Sequence, residues 1–383
     1  METNEEEPEM ASFFLAAEKT VVLDVGSATI KAGFAGEAYP RTEVRRKSEQ
    51  GGWSAHDAAR VFRDIFFTAL GGKPSDHRVI VCEHTDALEN QRNAIAVALL
   101  KILRVSGVHF IGCAPAALYA SSAALNRSLT ALVVDCGEAE TRVVPILHGT
   151  VLRHANTVIP LGVANVRAAM LEAMPNIEVA EEEEETLRDI TMQASLVSPN
   201  RDIRGVTAFQ YAGKDGACVA VSPEVRVLAG TTLFNRDDEF SVVTAVESAI
   251  AKAPMSFRRL LASSILLTGA GPCIPGFAAR LERDLRSSTA LSAARSACII
   301  NHDYPSPALH AWAGAGVLSL TMPSALFVSK DDLEKHRWKL PSPSEVATAH
   351  LKRMSGSSQR REKGKDKKNV KNRSARRTAF VLS

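Results

Sequence analysis

Two short stretches of this chain repeat one another, and together they restrict the fold more than anything else in it. Residues 21–34, Val-Val-Leu-Asp-Val-Gly-Ser-Ala-Thr-Ile-Lys-Ala-Gly-Phe, read as a buried strand, a tight turn of small residues and a returning strand. Residues 131–146 do the same, with Asp135 standing 111 positions after Asp24. A repeat at that interval predicts two related domains, each offering one hairpin to a shared cleft. The chemistry lies in the turns. Gly26 lacks the Cβ that would block an anion, Ser27 offers a hydroxyl, Ala28 continues the turn, and successive backbone N–H groups can converge on phosphate oxygens. Asp24 at the strand end suits a magnesium ion held mostly through its own waters, and Lys31 can neutralise a phosphate. Either hairpin alone is equally an ordinary turn with a solvated acid. A third segment weighs against that reading: Ser264 to Phe277 is an apolar strand followed by the turn Gly269-Ala270-Gly271, which lets a flat base approach the backbone.

In this order the three segments resemble actin and the actin-related proteins. Residues 21–41, with the tail Lys-Ala-Gly-Phe-Ala-Gly-Glu-Ala-Tyr-Pro-Arg, look like the first phosphate loop of that family, and the Asp135 segment, with Gly137 and Glu138, like the second. Thr268 to Gly276 is similar to its adenosine loop, while Trp312-Ala-Gly-Ala-Gly-Val-Leu and Phe327 to Glu334 resemble its closing helices. The resemblance implies an α/β, actin-like ATPase fold of two duplicated ribonuclease-H-like domains around a nucleotide cleft. It also implies ATP or ADP with magnesium, the ion held through water by Asp24 and Asp135. Ala28 and Ala270 stand where the family has glycine, so two added methyls narrow the cleft.

Length and composition agree. At 383 residues the chain suits two domains, and a 45% hydrophobic content can build both cores. No run of eighteen apolar residues occurs and the first ten residues are acidic, so neither a membrane span nor a secretory signal is expected. The six cysteines form no C-x-x-C pair and the ten histidines no metal-binding pattern, which predicts reduced core thiols and no transition-metal site.

Along the chain, residues 1–18 read as a disordered acidic leader, 19–155 as the first domain, 156–340 as the second with its closing helices returning to the first, and 341–383 as a disordered basic tail. The spacing of Ala58, Val61, Phe62, Ile65, Phe66 and Ala69 predicts a helix over 55–70. Further helices are expected over 90–105, 186–196, 241–252 and 258–262, strands over 78–82 and 108–111, and a hairpin turning at 213–216 with a return strand over 217–228. Glu181 to Glu185 fit the solvated first turn of the 186–196 helix better than a site for a basic partner or cation, the alternative reading of such a run. The polar stretch 42–52 is far too short to hold actin's small outer subdomain, which is therefore expected to be reduced or missing.

Catalysis is where the resemblance weakens. Counting from Pro115, Ser122 stands where the family has the glutamine that orients the attacking water; aligning on Tyr119 puts Ala123 there, and neither is an amide. Arg142 stands where the family has a catalytic histidine. A hydroxyl lacks an amide's reach, and an arginine holds phosphate but relays no proton. Efficient ATP hydrolysis is not expected. Within the superfamily, the missing subdomain and the run Val133 to Gly137 followed by Pro145 and Ile146 are most similar to the pointed-end actin-related subunit of dynactin. That class implies a non-polymerising capping subunit of the cytoplasmic cytoskeleton, with protein subunits of an actin-related filament complex as partners. The alternatives are a nuclear actin-related subunit of a chromatin remodeller and an active actin-fold ATPase. Between Lys352 and Arg377 twelve Lys or Arg face only Glu362 and Asp366, a net of +10 that leaves −7 for the rest of a +3 chain. Such a tail suits nuclear import, an acidic partner or, less well given its lack of interleaved aromatics, nucleic acid.

Overall fold

In a computed structural model, residues 20–341 are described apart from 47–52, 85–86, 126–128, 175–183, 201, 213–217, 237–238, 301–305 and 324–325. The expected leader, the basic tail and the 213–216 turn lie outside the described residues.

Strands β1 (Thr20–Val25) and β2 (Thr29–Phe34) form the first hairpin, in a register that sets Asp24 opposite Lys31. Strand β3 (Thr42–Arg45) pairs with β2 at the sheet edge. Helix α1 (Ala55–Asp64) starts where the Ser54 hydroxyl accepts from the Asp57 N–H, and a π-helical stretch continues it over Ile65–Leu70. Strand β4 (Arg78–Glu83), helix α2 (Glu89–Val97) and strand β5 (Gly107–Gly112) complete the unit, with sheet order β3-β2-β1-β4-β5. The central strands are buried along almost their whole length, as expected when both faces of a sheet are covered. Phe62, Ile65, Phe66, Leu99 and Leu100 fill one face. Between β3 and α1 stand only residues 46–54, at most about 30 Å of extended chain. Nine residues cannot build a packed subdomain of the size expected there.

Helix α3 (Cys113–Leu125) leads from β5 to the second sheet, built from β6 (Ala131–Cys136), β7 (Thr141–Leu147), β8 (Thr150–Val151) and β9 (Thr157–Ile159). Helices α4 (Val163–Glu172) and α5 (Glu184–Ala194) follow, then the hairpin of β10 (Phe209–Ala212) and β11 (Cys218–Val221). Helices α6 (Pro223–Thr231), α7 (Val242–Lys252) and α8 (Met255–Ala262) lead to β12 (Ile265–Thr268) and α9 (Phe277–Arg286). The sheet order β12-β6-β7-β8 repeats β4-β1-β2-β3 strand for strand, parallel then antiparallel. Asp135 lies opposite Arg142 as Asp24 lies opposite Lys31. The duplication is therefore one of register as well as sequence.

Two expectations change. The Asp135 hairpin belongs to the second sheet, so the division between sheets falls between α3 and β6 and not at residue 155, because β6 bonds in parallel to β12 from far along the chain. The return strand expected over 217–228 stops at Val221, since Ser222 caps a new helix and Pro223 fits its first turn.

Helices α10 (His310–Thr321) and α11 (Lys330–Lys335) return to the first sheet. Buried Trp312 donates its indole N–H to the Val22 carbonyl at 3.2 Å. A Cβ on Gly314 would lie 1.8 Å from the Ala116 carbonyl oxygen, so α10 reaches α3 only through a glycine. Val108 and Val328 exchange backbone bonds, and Ser329 with Asp332 forms a capping box on α11.

Candidate functional site

The two hairpin turns face one another across a cleft of about 480 Å³. Its wall carries Asp24, Gly26, Ser27, Ala28 and Lys31 from the first sheet and Asp135, Gly137, Glu138, Gly269 and Ala270 from the second. In each hairpin the glycine N–H bonds back across the turn, Gly26 to the Thr29 carbonyl and Gly137 to that of Glu140, both at 3.0 Å. The N–H groups of Ser27 and Ala28 make no bond among the described residues and remain as donors at the cleft. Gly269 adopts φ +91°, and a Cβ there would meet the Cys136 carbonyl at 2.4 Å and Asp135 Oδ1 at 2.7 Å. Only glycine allows this turn to close over the second hairpin.

Two expected residues stand differently. Gly271 is buried against Cys136 and does not line the cleft. Arg142, expected as a phosphate-holding cation, is turned onto Glu140 and is likewise absent from the lining. Ser122 lies on α3, with its side chain outside the described residues.

Other residues on the wall were not expected. His84, just past β4, sets Nδ1 3.5 Å from Asp135 Oδ2 and so joins the two sheets across the cleft. Arg45 of β3 lies 3.3 Å from Glu185 of α5, a second bridge. Arg167 of α4 and Arg188 of α5 both approach Glu138. The duplicated register is the one signal that points to His84. Cys82 pairs with Asp24 as Thr268 pairs with Asp135, so the residues just past Cys82 correspond to the Gly269 turn. For Arg167 and Arg188 no local pattern exists.

Burial pushes the Asp24 carboxyl above its ordinary range, against the pull of Lys31 at 3.8 Å and of His84, while Asp135 pushes the same way. Burial works against the Lys31 charge, but Asp24 and Glu43 more than offset it, so the ammonium is held above its usual value. Burial and the neighbouring Asp24 push the Cys82 and Cys113 thiols well up, which keeps them protonated and inert. Five carboxylates (Asp24, Glu43, Asp135, Glu138, Asp189) face four permanent cations (Lys31, Arg45, Arg167, Arg188) on the wall. A polyphosphate entering such a cleft needs a further cation with it. No cluster of three or more metal-ligating side chains forms among the described residues. Two single carboxylates, Asp24 and Asp135, on the cleft wall fit magnesium, which keeps most of its waters.

Antiparallel hairpins, each flanked by a parallel strand and repeated in two sheets with a cleft between them and a closing helix pair, define an actin-like ATPase fold. The sequence profile of the family described as Actin matches residues 53–208 and 214–340, and this chain belongs to that family. The matched span begins after the first hairpin, whose likeness rests on its own motif and on the duplicated register. Among curated proteins the chain is similar to Actin-related protein 3 of Drosophila melanogaster, 26% identical over 253 residues. That alignment covers 60% of each chain, so this protein matches somewhat over half the length of that relative. No helix among the described residues is long and apolar enough to cross a membrane.

Proposed function

We propose that this chain is a non-polymerising actin-related subunit that caps one end of an actin-like filament in a dynactin-like complex, in the cytoplasmic cytoskeleton. One observation carries the reading: only residues 46–54 stand where the outer subdomain belongs, whereas α10 and α11, whose sequence resembles actin's closing helices, pack back onto the first sheet. Head-to-tail association needs two complementary faces, and a subunit with one of them altered joins an end and stops growth there. Under polymerising salt and magnesium the purified protein stays monomeric by electron microscopy and blocks elongation of an actin-related filament offered to it. Self-assembly into filaments would sink the proposal. The net +10 of residues 352–377 favours a second reading, a nuclear remodeller subunit. Affinity purification from its own cells separates the two, by recovery of dynactin and dynein subunits or of remodeller subunits.

In the cleft, the N–H groups of Ser27 and Ala28, the Ser27 hydroxyl and Lys31 would hold phosphates, and the Gly269 turn the base of ATP or ADP. Asp24 and Asp135 would hold magnesium through its waters, and the ion supplies charge neutralisation of the phosphates. With Ser122 and Arg142 in place of the water-orienting pair, hydrolysis is slow. Ser122→Gln with Arg142→His raises phosphate release by roughly tenfold or more in a single-turnover assay. Rapid release by the unaltered protein, abolished by Asp135→Ala, would show that the substitutions do not matter.

A further inference from the structure

Three charged side chains meet beside the tip of the second hairpin. Glu138 follows Gly137 in the turn, Arg167 comes from α4, Arg188 from α5, and all three line the cleft. Arg167 Nη2 donates to Glu138 Oε1 at 2.5 Å. Arg188 Nη2 lies 3.7 Å from the same oxygen and donates to Glu184 Oε1 at 3.0 Å. Two guanidinium groups thus share one carboxylate oxygen. Their remaining donors tell more: Arg167 Nη1 and Arg188 Nε are shut off from solvent with no hydrogen-bond partner among the described residues. A guanidinium carries five N–H donors in a fixed fork, and burying some of them without an acceptor is costly. One planar carboxylate cannot serve two forks. A phosphoryl group can, because it offers three terminal oxygens and up to two negative charges in a tetrahedral arrangement.

We propose that Arg167 and Arg188 form a phosphate-oxyanion subsite on the second-sheet wall of the cleft, and that the Glu138 carboxylate sits in the seat of the ligand's phosphoryl group. The inference rests on the reading of the cleft as a polyphosphate site and adds which cations act on this wall. It also reverses the role expected for Glu138. Instead of helping to bind the ligand, its carboxylate competes with the ligand for the two arginines. The acidic side of the cleft, with Asp24, Glu43 and Asp135, would face the magnesium, and the arginine pair would face the anion.

The test uses the full chain, with pyrophosphate and ADP as probes, each with magnesium, affinity read by titration calorimetry and folding by near-ultraviolet circular dichroism. Glu138→Gln keeps the shape and removes the competing charge, so pyrophosphate binding should tighten by about tenfold. Arg167→Gln should weaken it by a similar factor and flatten its salt dependence. Unchanged pyrophosphate affinity in either variant, weaker binding in Glu138→Gln, or no pyrophosphate binding by any of the three proteins would overturn the subsite. If Glu138→Gln does not fold, Arg167→Gln decides alone. Pyrophosphate binding that survives while ADP fails to bind the unaltered protein would count against the nucleotide reading and leave the subsite standing.

Discussion

Asp24 and Asp135 carry more of this protein's character than any other pair of residues. Both lie near the end of a buried strand, both lie opposite a cation seven positions later, and burial, with a smaller push from Asp135, holds the Asp24 carboxyl above its ordinary pKa. A chain that buries two coupled acids without need of them would be less stable than one with apolar residues there. If they serve magnesium, their worth appears only with ligand. A ligand at a hundred times its Kd stabilises a fold by about 2.7 kcal/mol. Saturating ADP with magnesium should raise the melting temperature of the unaltered protein by that linkage. In Asp24→Asn or Asp135→Asn the increment should fall close to zero, whatever the substitution does to the unliganded melting point. Differential scanning fluorimetry with and without ligand reads the two effects separately.

At the scale of elements, the return of α10 and α11 to the first sheet rests on a few contacts that can be broken one at a time. Gly314 allows α10 to touch the backbone of α3, and Gly314→Ala drives a methyl into the Ala116 carbonyl. That change should cost ~3 kcal/mol, read as a lower midpoint in urea with little change of slope. His109 on β5 bonds the Leu326 carbonyl at 3.0 Å, just before α11. Burial holds its pKa below the ordinary value, against the hydrogen bond to Leu326, with Arg92 pushing in the same direction as burial. A histidine lowered by folding takes up its proton more readily in the unfolded chain, so stability falls as pH drops below about 6.5. Melting temperatures measured from pH 7.5 to 5.5 should decline, and His109→Gln should flatten part of that decline. An equally steep decline in the variant would assign the pH effect to other groups.

The whole molecule is two copies of one sheet plan with the cleft between them, and the cleft wall carries one more carboxylate than permanent cations. Chelating magnesium with EDTA should therefore release the nucleotide and return the melting curve to that of the nucleotide-free protein. A nucleotide that stays bound through chelation would mean that the arginines and Lys31 suffice. Much of this architecture was legible in the chain as written, because hairpins, buried strands and helix stripes are local: Asp24 to Lys31, Asp135 to Gly137, the stripe through Phe62 and the Gly269 turn are each read within one element and its neighbour. The resemblance to actin, set against the short stretch after the first hairpin, also pointed to the missing outer subdomain, since so few residues hold no core. What only the tertiary structure decided is what comes from afar. Strand β6 joined β12 and not the first sheet, β11 gave way to a helix at Ser222, Arg142 turned away from the cleft, and His84, Arg167 and Arg188 turned into it. None of these has a period or a motif of its own. Where a side chain on one element finishes depends on how the two sheets pack, and that packing is set by contacts between residues far apart in the chain, which a local pattern does not encode.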